Sequence, residues 1–330
     1  MKVLIFLVLI TLSLSVSFSS KGKASRFHAV RPPPQVNPLD ASKPAHTRAS
    51  VQEINSKKKA WTATLYPHFE GKTQLELSHK LLGFVDPGPK VALELRAHFV
   101  APPPSATPLP ESFYAFNKWN CNSMNMIRDQ GECGSCWYFS SAEVISDRIC
   151  ITKKTQDIVS PFHIASCARQ NGCGGGWMSE AFDFYITNGV VLDSCQPYTM
   201  PLNCIQTCPN SGFQGTYTQA LRKGASRYML PNNEIAIQTE IYNNGPITAA
   251  FNVYNDFYSY QSGVYEYTSG DYAGGHAIKI LGWGVENGVK FWYCANSWGT
   301  VWGLGGFFKI RRGVDECSIE SWHVVAGMPQ

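Results

Sequence analysis

None of the chain's 11 cysteines precedes Cys121, charged residues make up only 16% of its 330 positions, and Asn-x-Ser/Thr sequons are missing altogether. Each shortage excludes something. The low charge, with a formal net charge of +4, argues against a dedicated nucleic-acid binder. Without a sequon, sorting by an N-glycan is excluded. After the first ten residues no apolar run approaches the ~20 residues that span a bilayer, so no membrane span is expected. Cys133-Gly134-Ser135-Cys136 has no second closely spaced cysteine pair and no βαβ setting, which disfavours a zinc ribbon and a thioredoxin-like redox site. Neither a metal nor a cofactor is therefore expected.

What is present is 44% hydrophobic and 13% aromatic residues, enough for a sizeable core in about two domains. Residues 1–108 carry 14 Lys/Arg against 6 Asp/Glu, or +8, and residues 109–330 carry 14 against 18, or −4. Met1-Lys2, the apolar run Val3–Ile10 and the serine-rich stretch Ser15–Ser20 read as a signal peptide over residues 1–20, an uncleaved anchor being the alternative. Eleven cysteines suit an oxidising compartment, and the odd count leaves at least one thiol free.

Residues 21–108 contain two proline runs, Pro32–Pro34 and Pro102–Pro104, which read as linkers. Between them Trp61, Leu65, Phe69, Leu75, Leu77, Leu81 and Leu82 predict a small satellite domain of short helices. Residues 109–330 form the main domain. Cys136–Ile151 predicts a helix capped by Ser135, with Phe139, Ala142, Ile145 and Ile149 on one face. Strands are expected at Gly245–Tyr254, His276–Trp283, Val289–Trp298 and Gly306–Arg312, with Asn287-Gly288 as a hairpin turn. The class is α+β, with a cleft between the helical and β halves.

Cys136 sits where a helix N-terminus favours thiolate. A thiolate attacking a carbonyl needs an imidazole to protonate the leaving amine, and His276, between glycines and a strand, is the candidate. Asn296 offers a neutral hydrogen bond to orient that ring. Gln130 can join the Cys136 backbone N–H in holding an oxyanion.

The set QGECGSCW, SDRICI, GCGGGW, CQPY, GGHAIKILGWGVENG and NSWGTVWGLGGFFKI, spread over residues 109–327, resembles the papain-like cysteine proteases and within them the cathepsin B group. EINSKKKAWTA and ELSHKLLGF resemble, more loosely, the short propeptide of that group. The resemblance implies a papain-like fold with a helical left half, a β-barrel-like right half and a helical propeptide. It implies a cysteine endopeptidase zymogen working through a Cys136–His276 pair and an acyl-enzyme. Asn296 would be the orienter, Gln130 the oxyanion donor and Trp298 the shield of the His276–Asn296 bond. Gly175 and Gly176 would offer backbone to an extended substrate.

It also implies disulfides Cys121–Cys150, Cys133–Cys173, Cys167–Cys204 and Cys195–Cys208, leaving Cys136, Cys294 and Cys317 free. Only Thr199–Asn203 separate Tyr198 from Cys204, where the group carries a long loop closing one end of the cleft. The group's acidic specificity residue falls on Trp322 or His323 here, with Met178 as another wall, so basic side chains are expected to be disfavoured; the alternative is that Glu320 supplies the charge.

The expected partners are peptide or protein substrates and the chain's own propeptide as inhibitor, in a monomer. The propeptide's +8 against −4 is expected to loosen at acid pH. The expected route is secretory, ending in a lysosome, an acidic vacuole or the extracellular space. Rival readings are a non-catalytic secreted binding or matrix protein on the same fold and a CxxC thiol oxidoreductase.

Overall fold

The computed structural model describes residues 41–88, 91, 94 and 108–330. The segment read as a signal peptide and both proline runs lie outside them. In the N-terminal segment, helices α1 (Arg48–Ser56) and α2 (Gln74–Leu81) flank strand β1 (Trp61–Ala63). Each helix starts on a threonine, Thr47 or Thr73, whose hydroxyl accepts from the N–H three residues on, while Ser50 or Glu76 returns a bond to the cap's N–H. Such reciprocal caps let short helices form without a large core. Trp61, Phe69, Leu77, Leu81 and Leu82 are buried, whereas Leu75 is half exposed. They pack on Phe257, Tyr258, Tyr260 and Trp298 of the main domain, so the segment has no separate core.

The main domain contains β2 (Phe113–Tyr114), α3 (Cys136–Lys153), α4 (Met178–Thr187), β3 (Val190–Val191), β4 (Leu221–Arg222), β5 (Gly224–Met229) and α5 (Glu234–Asn244). Strands β6 (Ile247–Tyr254), β7 (Tyr260–Tyr265), β8 (Tyr272–Glu286), β9 (Val289–Ala295), β10 (Phe307–Arg311) and β11 (His323–Pro329) follow. A helical half thus precedes a β half, as the α+β reading expects. The sheet runs β1-β7-β10-β9-β8-β6-β11-β5 with β2 beside β8; among the described residues this path stays open and does not close into a barrel. Asn287 and Gly288 turn between β8 and β9 with φ of 51° and 80°, the left-handed pair that matches the twist of a hairpin.

Two readings of α3 need correction. Ser135 makes no side-chain cap; its hydroxyl donates instead to the Cys133 carbonyl at 2.9 Å. The helix is also buried on every face from Cys136 to Cys150, because β8, β11 and α4 all pack on it. Its polar residues must then find partners inside. Arg148 Nη2 meets Glu240 at 2.8 Å, and Nη1 donates to the Tyr228 hydroxyl at 2.9 Å. Asp147 and Glu143 share one ammonium, Lys279 on β8, at 3.2 and 3.4 Å.

Four disulfides join Cys121 to Cys150, Cys133 to Cys173, Cys167 to Cys204 and Cys195 to Cys208. Cys136, Cys294 and Cys317 are free thiols. Cys294 lies wholly within the sheet core, where burial pushes its thiol well above the ordinary value. No helix among the described residues is long and apolar enough to cross a membrane.

Candidate active site

Cys136 occupies the first turn of α3, held from behind by the Cys133–Cys173 bridge. Because Cys133 is spent on Cys173, a reversible Cys133–Cys136 pair does not exist, and the oxidoreductase reading loses its reactive group. The Cys136 sulfur accepts from the backbone N–H of Ala277 on β8 at 3.3 Å. His276, the preceding residue, lies within β8 opposite Phe251 and not at the strand's start.

Asn296 Oδ1 lies 2.8 Å from His276 Nε2 and also accepts the Ser297 N–H at 2.8 Å. An amide oxygen only accepts, so the imidazole proton sits on Nε2 and Nδ1 is left as the base. Nδ1 has no hydrogen-bond partner. Trp298 covers this bond, its ring 4.9 Å from His276 at a 35° tilt. Gln130 is fixed through Oε1, which accepts from the Ser297 hydroxyl at 2.6 Å. Its Nε2 donates to the carbonyls of Cys133 at 2.8 Å and Leu81 at 3.1 Å.

Leu81 belongs to the N-terminal segment, which runs through the cleft. Gly176 N–H donates to Gly83 O at 2.9 Å, Val85 N–H to Gly176 O at 3.0 Å, and Phe84 N–H to Gly275 O at 3.1 Å. Phe84 thereby pairs parallel to Gly176 and antiparallel to Gly275. Gly175, at φ +86°, leaves no room for a Cβ, which would stand 2.6 Å from a Val85 methyl.

This cover reverses the electrostatics expected from the helix N-terminus. Burial pushes the Cys136 thiol up to about 12, against the opposing N–H groups of Ala277, Gly83, Phe84 and Trp137. Burial likewise brings His276 down to about 4, with Asn296 opposing. In the closed cleft both groups are neutral, and a thiolate–imidazolium pair requires water to return.

Gly83 sets how closely the segment lies. A Cβ there would stand 2.0 Å from the Gly134 carbonyl oxygen, a contact between two backbones that no rotamer relieves. Gly83→Ala in the intact chain should therefore lift the segment. We expect at least roughly tenfold more hydrolysis of a small peptide substrate by the unprocessed chain, given the usual cost of overpacking. Unchanged activity of the unprocessed variant would show that Gly83 does not govern closure.

Phe84 fills a pocket. Its ring meets Trp322 edge-on at 4.6 Å and His323 at 5.4 Å, in a buried group with Met178, Ala250 and Ala277. Trp322 Nε1 donates to Asp86 Oδ2 at 2.9 Å. Glu320, the alternative source of charge, is turned elsewhere: its carboxylate accepts from Trp292 Nε1 at 2.9 Å and from the N–H groups of Gly313 and Asp315 at 2.6 and 3.1 Å. Both residues that compete for the pocket position in the sequence thus touch Phe84.

Sequence reasoning missed Ser297, which holds Gln130, and the Glu143–Asp147–Lys279 cluster. The signal for the cluster was two carboxylates at i, i+4 on one helix. Among the described residues no group of three or more His, Cys, Asp or Glu is arranged to hold a metal.

Comparison with known proteins places this geometry. Residues 109–327 match the family model of papain family cysteine proteases. The chain is 43% identical over 309 residues to cathepsin B-like cysteine proteinase 3 of Caenorhabditis elegans, covering 84% of this chain and 81% of the relative. It is 46% identical over 242 residues to a gut-specific cysteine proteinase of the same organism, covering 66% and 73%. Among solved structures it resembles procathepsin B S9 from Trypanosoma congolense, with a TM-score of 0.77 at 34% identity over 87% of this chain and all of the other. A thiol at a helix start beside a strand-borne imidazole, in a cleft covered by an N-terminal segment, agrees with these matches: the chain belongs to the papain family of cysteine proteases.

Proposed function

We propose that the chain is the precursor of a secreted or vacuolar endopeptidase, in which residues 21–108 are a propeptide and residues 109–330 the enzyme. The observation that carries this reading is the Leu81–Val85 backbone. It occupies Gly176, Gly275 and the Gln130 amide together, as an extended peptide in the cleft must. Once the propeptide leaves, the Cys136 thiol gives its proton to His276 Nδ1 and attacks the scissile carbonyl. The oxyanion is held by the Cys136 N–H and by Gln130 Nε2, freed from Leu81. His276 then protonates the leaving amine, and water, deprotonated by the same Nδ1, hydrolyses the acyl-enzyme. Asn296 keeps the ring in the tautomer this requires.

Lys72 and Lys80 of the propeptide both reach Glu132, at 3.4 and 2.7 Å. Lys80 holds this exposed carboxyl below the usual range, so the contact is present at neutral pH and is lost as pH falls through that lowered value. This supports release at acid pH. The four disulfides support an oxidising route.

Endopeptidase action rests on the five-residue link Thr199–Asn203, too short to block the cleft end or hold a substrate carboxylate. Long peptides digested by the activated enzyme and read by mass spectrometry should show internal cuts. Products that are chiefly C-terminal dipeptides would refute it.

A further inference from the structure

The rim of the cleft beside Gln130 carries a carboxylate that the chemistry above does not use. The Glu132 side chain is 66% exposed, and the cations that pair with it, Lys80 at 2.7 Å and Lys72 at 3.4 Å, both come from the propeptide. Arg128, a basic residue of the enzyme four positions earlier, is taken by Asp193 at 2.8 Å. Removal of residues 21–108 therefore strips Glu132 of both its described partners.

The segment itself shows where along the cleft this carboxylate stands. The Leu81 carbonyl lies on Gln130 Nε2 at 3.1 Å and on Trp298 Nε1 at 3.3 Å, marking where Gln130 would hold the reacting carbonyl. Gly83, Phe84 and Val85 lie to one side of that point, paired with Gly176 and Gly275. Lys80 lies to the other side, on Glu132. A peptide whose acyl portion pairs with Gly176 thus sends its leaving portion past Glu132. The two ammonium groups reach the same Oε1 from different places, Lys80 from within α2 and Lys72 from just ahead of its Thr73 cap. The carboxylate therefore accepts a cation without demanding one backbone position.

Resting on the reading of the chain as a peptidase, we propose that Glu132 makes the activated enzyme favour substrates that carry lysine or arginine on the leaving-group side of the cut, through an ion pair that takes the place of those made by Lys72 and Lys80. The pair is exposed, so its effect is modest and is screened by salt. Asp129, the other exposed carboxylate on this rim, faces His68 of the propeptide and adds to the same negative field. The net −4 of residues 109–330 attracts any cationic peptide, so position along the substrate is what distinguishes Glu132 from that general attraction.

The test is kcat/KM of the activated enzyme, its concentration fixed by titration of the Cys136 thiol, on peptides that differ only in carrying lysine, glutamine or glutamate at the first, second or third residue after the cut. At one of these positions lysine should exceed glutamine by roughly threefold in low salt, and the excess should shrink in about 0.5 M salt. Glu132→Gln should bring that ratio close to one, and Glu132→Lys should invert it, with glutamate becoming the better residue. A wild-type ratio of one or less at all three positions, a preference unchanged in both variants, or an equal gain from a lysine placed before the cut would overturn the proposal and leave the peptidase reading intact. Cleavage of no peptide by the wild-type enzyme would overturn both.

Discussion

Peptide cleavage by the activated Cys136→Ala protein should fall by at least ~10⁴-fold, because covalent catalysis has no substitute nucleophile in this cleft. The two other free thiols do not replace it: Cys294 is enclosed in the sheet core, and Cys317 lies with the Glu316 carboxylate 3.6 Å from its sulfur. The variant should still fold, since alanine leaves the Cys133–Cys173 bridge and the α3 packing in place. Active-site titration with a thiol-directed reagent, alongside circular dichroism, separates the two effects. Asn296→Ala should cost less, about 10- to 100-fold, because Asn296 orients the ring and exchanges no proton. Its loss should show in kcat more than in KM. Undiminished turnover in a clean Cys136→Ala preparation would refute the assignment of the nucleophile.

The second large effect is expected at Lys279, fully buried between Glu143 and Asp147. Desolvation raises Glu143 to about 7 and raises Asp147 too, since one shared ammonium does not offset the burial of two carboxylates. Lys279→Met leaves both acids without a cation, and breaking such a buried pair costs about 3–5 kcal/mol at neutral pH. That should appear as a shift in the denaturant midpoint.

The same cluster sets a pH dependence. The folded pKa of Glu143 lies above its ordinary 4.5, so the folded state binds the extra proton. Its contribution to stability is fully present below about 4.5 and is lost as pH rises through about 7. Glu143→Gln should therefore lengthen the lifetime of the enzyme at pH 7.5 relative to wild type and change little at pH 4.5. Asp147 keeps Lys279 and its 2.5 Å bond to the Ser123 hydroxyl in that variant. An equal effect at both pH values would place the loss of stability at rising pH elsewhere. The cluster ties α3, which carries Cys136, to β8, which carries His276, so a change in its charge also bears on the distance between the two reacting groups.

Local signals in the sequence sufficed for β6, β8, β9 and β10, though not for β7 or β11, for the Asn287-Gly288 turn and for the helix that starts at Cys136, because alternation, helical period and turn chemistry are written over a few neighbouring residues. The odd cysteine count announced a free thiol. Histidine, needed to use it, was scarce enough to pick out His276, since only three follow residue 108; Asn296 and Gln130 were picked out by their positions relative to His276 and Cys136. The motif resemblance supplied the disulfide pairing, which counting cysteines leaves undetermined.

Tertiary structure alone decided the rest. A one-faced apolar pattern in α3 gave no warning that β8, β11 and α4 would bury its polar face as well, so the pairing of Glu143 and Asp147 with a lysine more than 130 positions away was not legible. Whether Glu320, Trp322 or His323 met the pocket turned on the path of one short loop, which a one-residue insertion leaves open. The protonation state of Cys136 and His276 was beyond sequence altogether. The helix N-terminus favours thiolate, but the Leu81–Val85 backbone removes the water that would stabilise the charges, and in this cleft desolvation outweighs the pull of the helix.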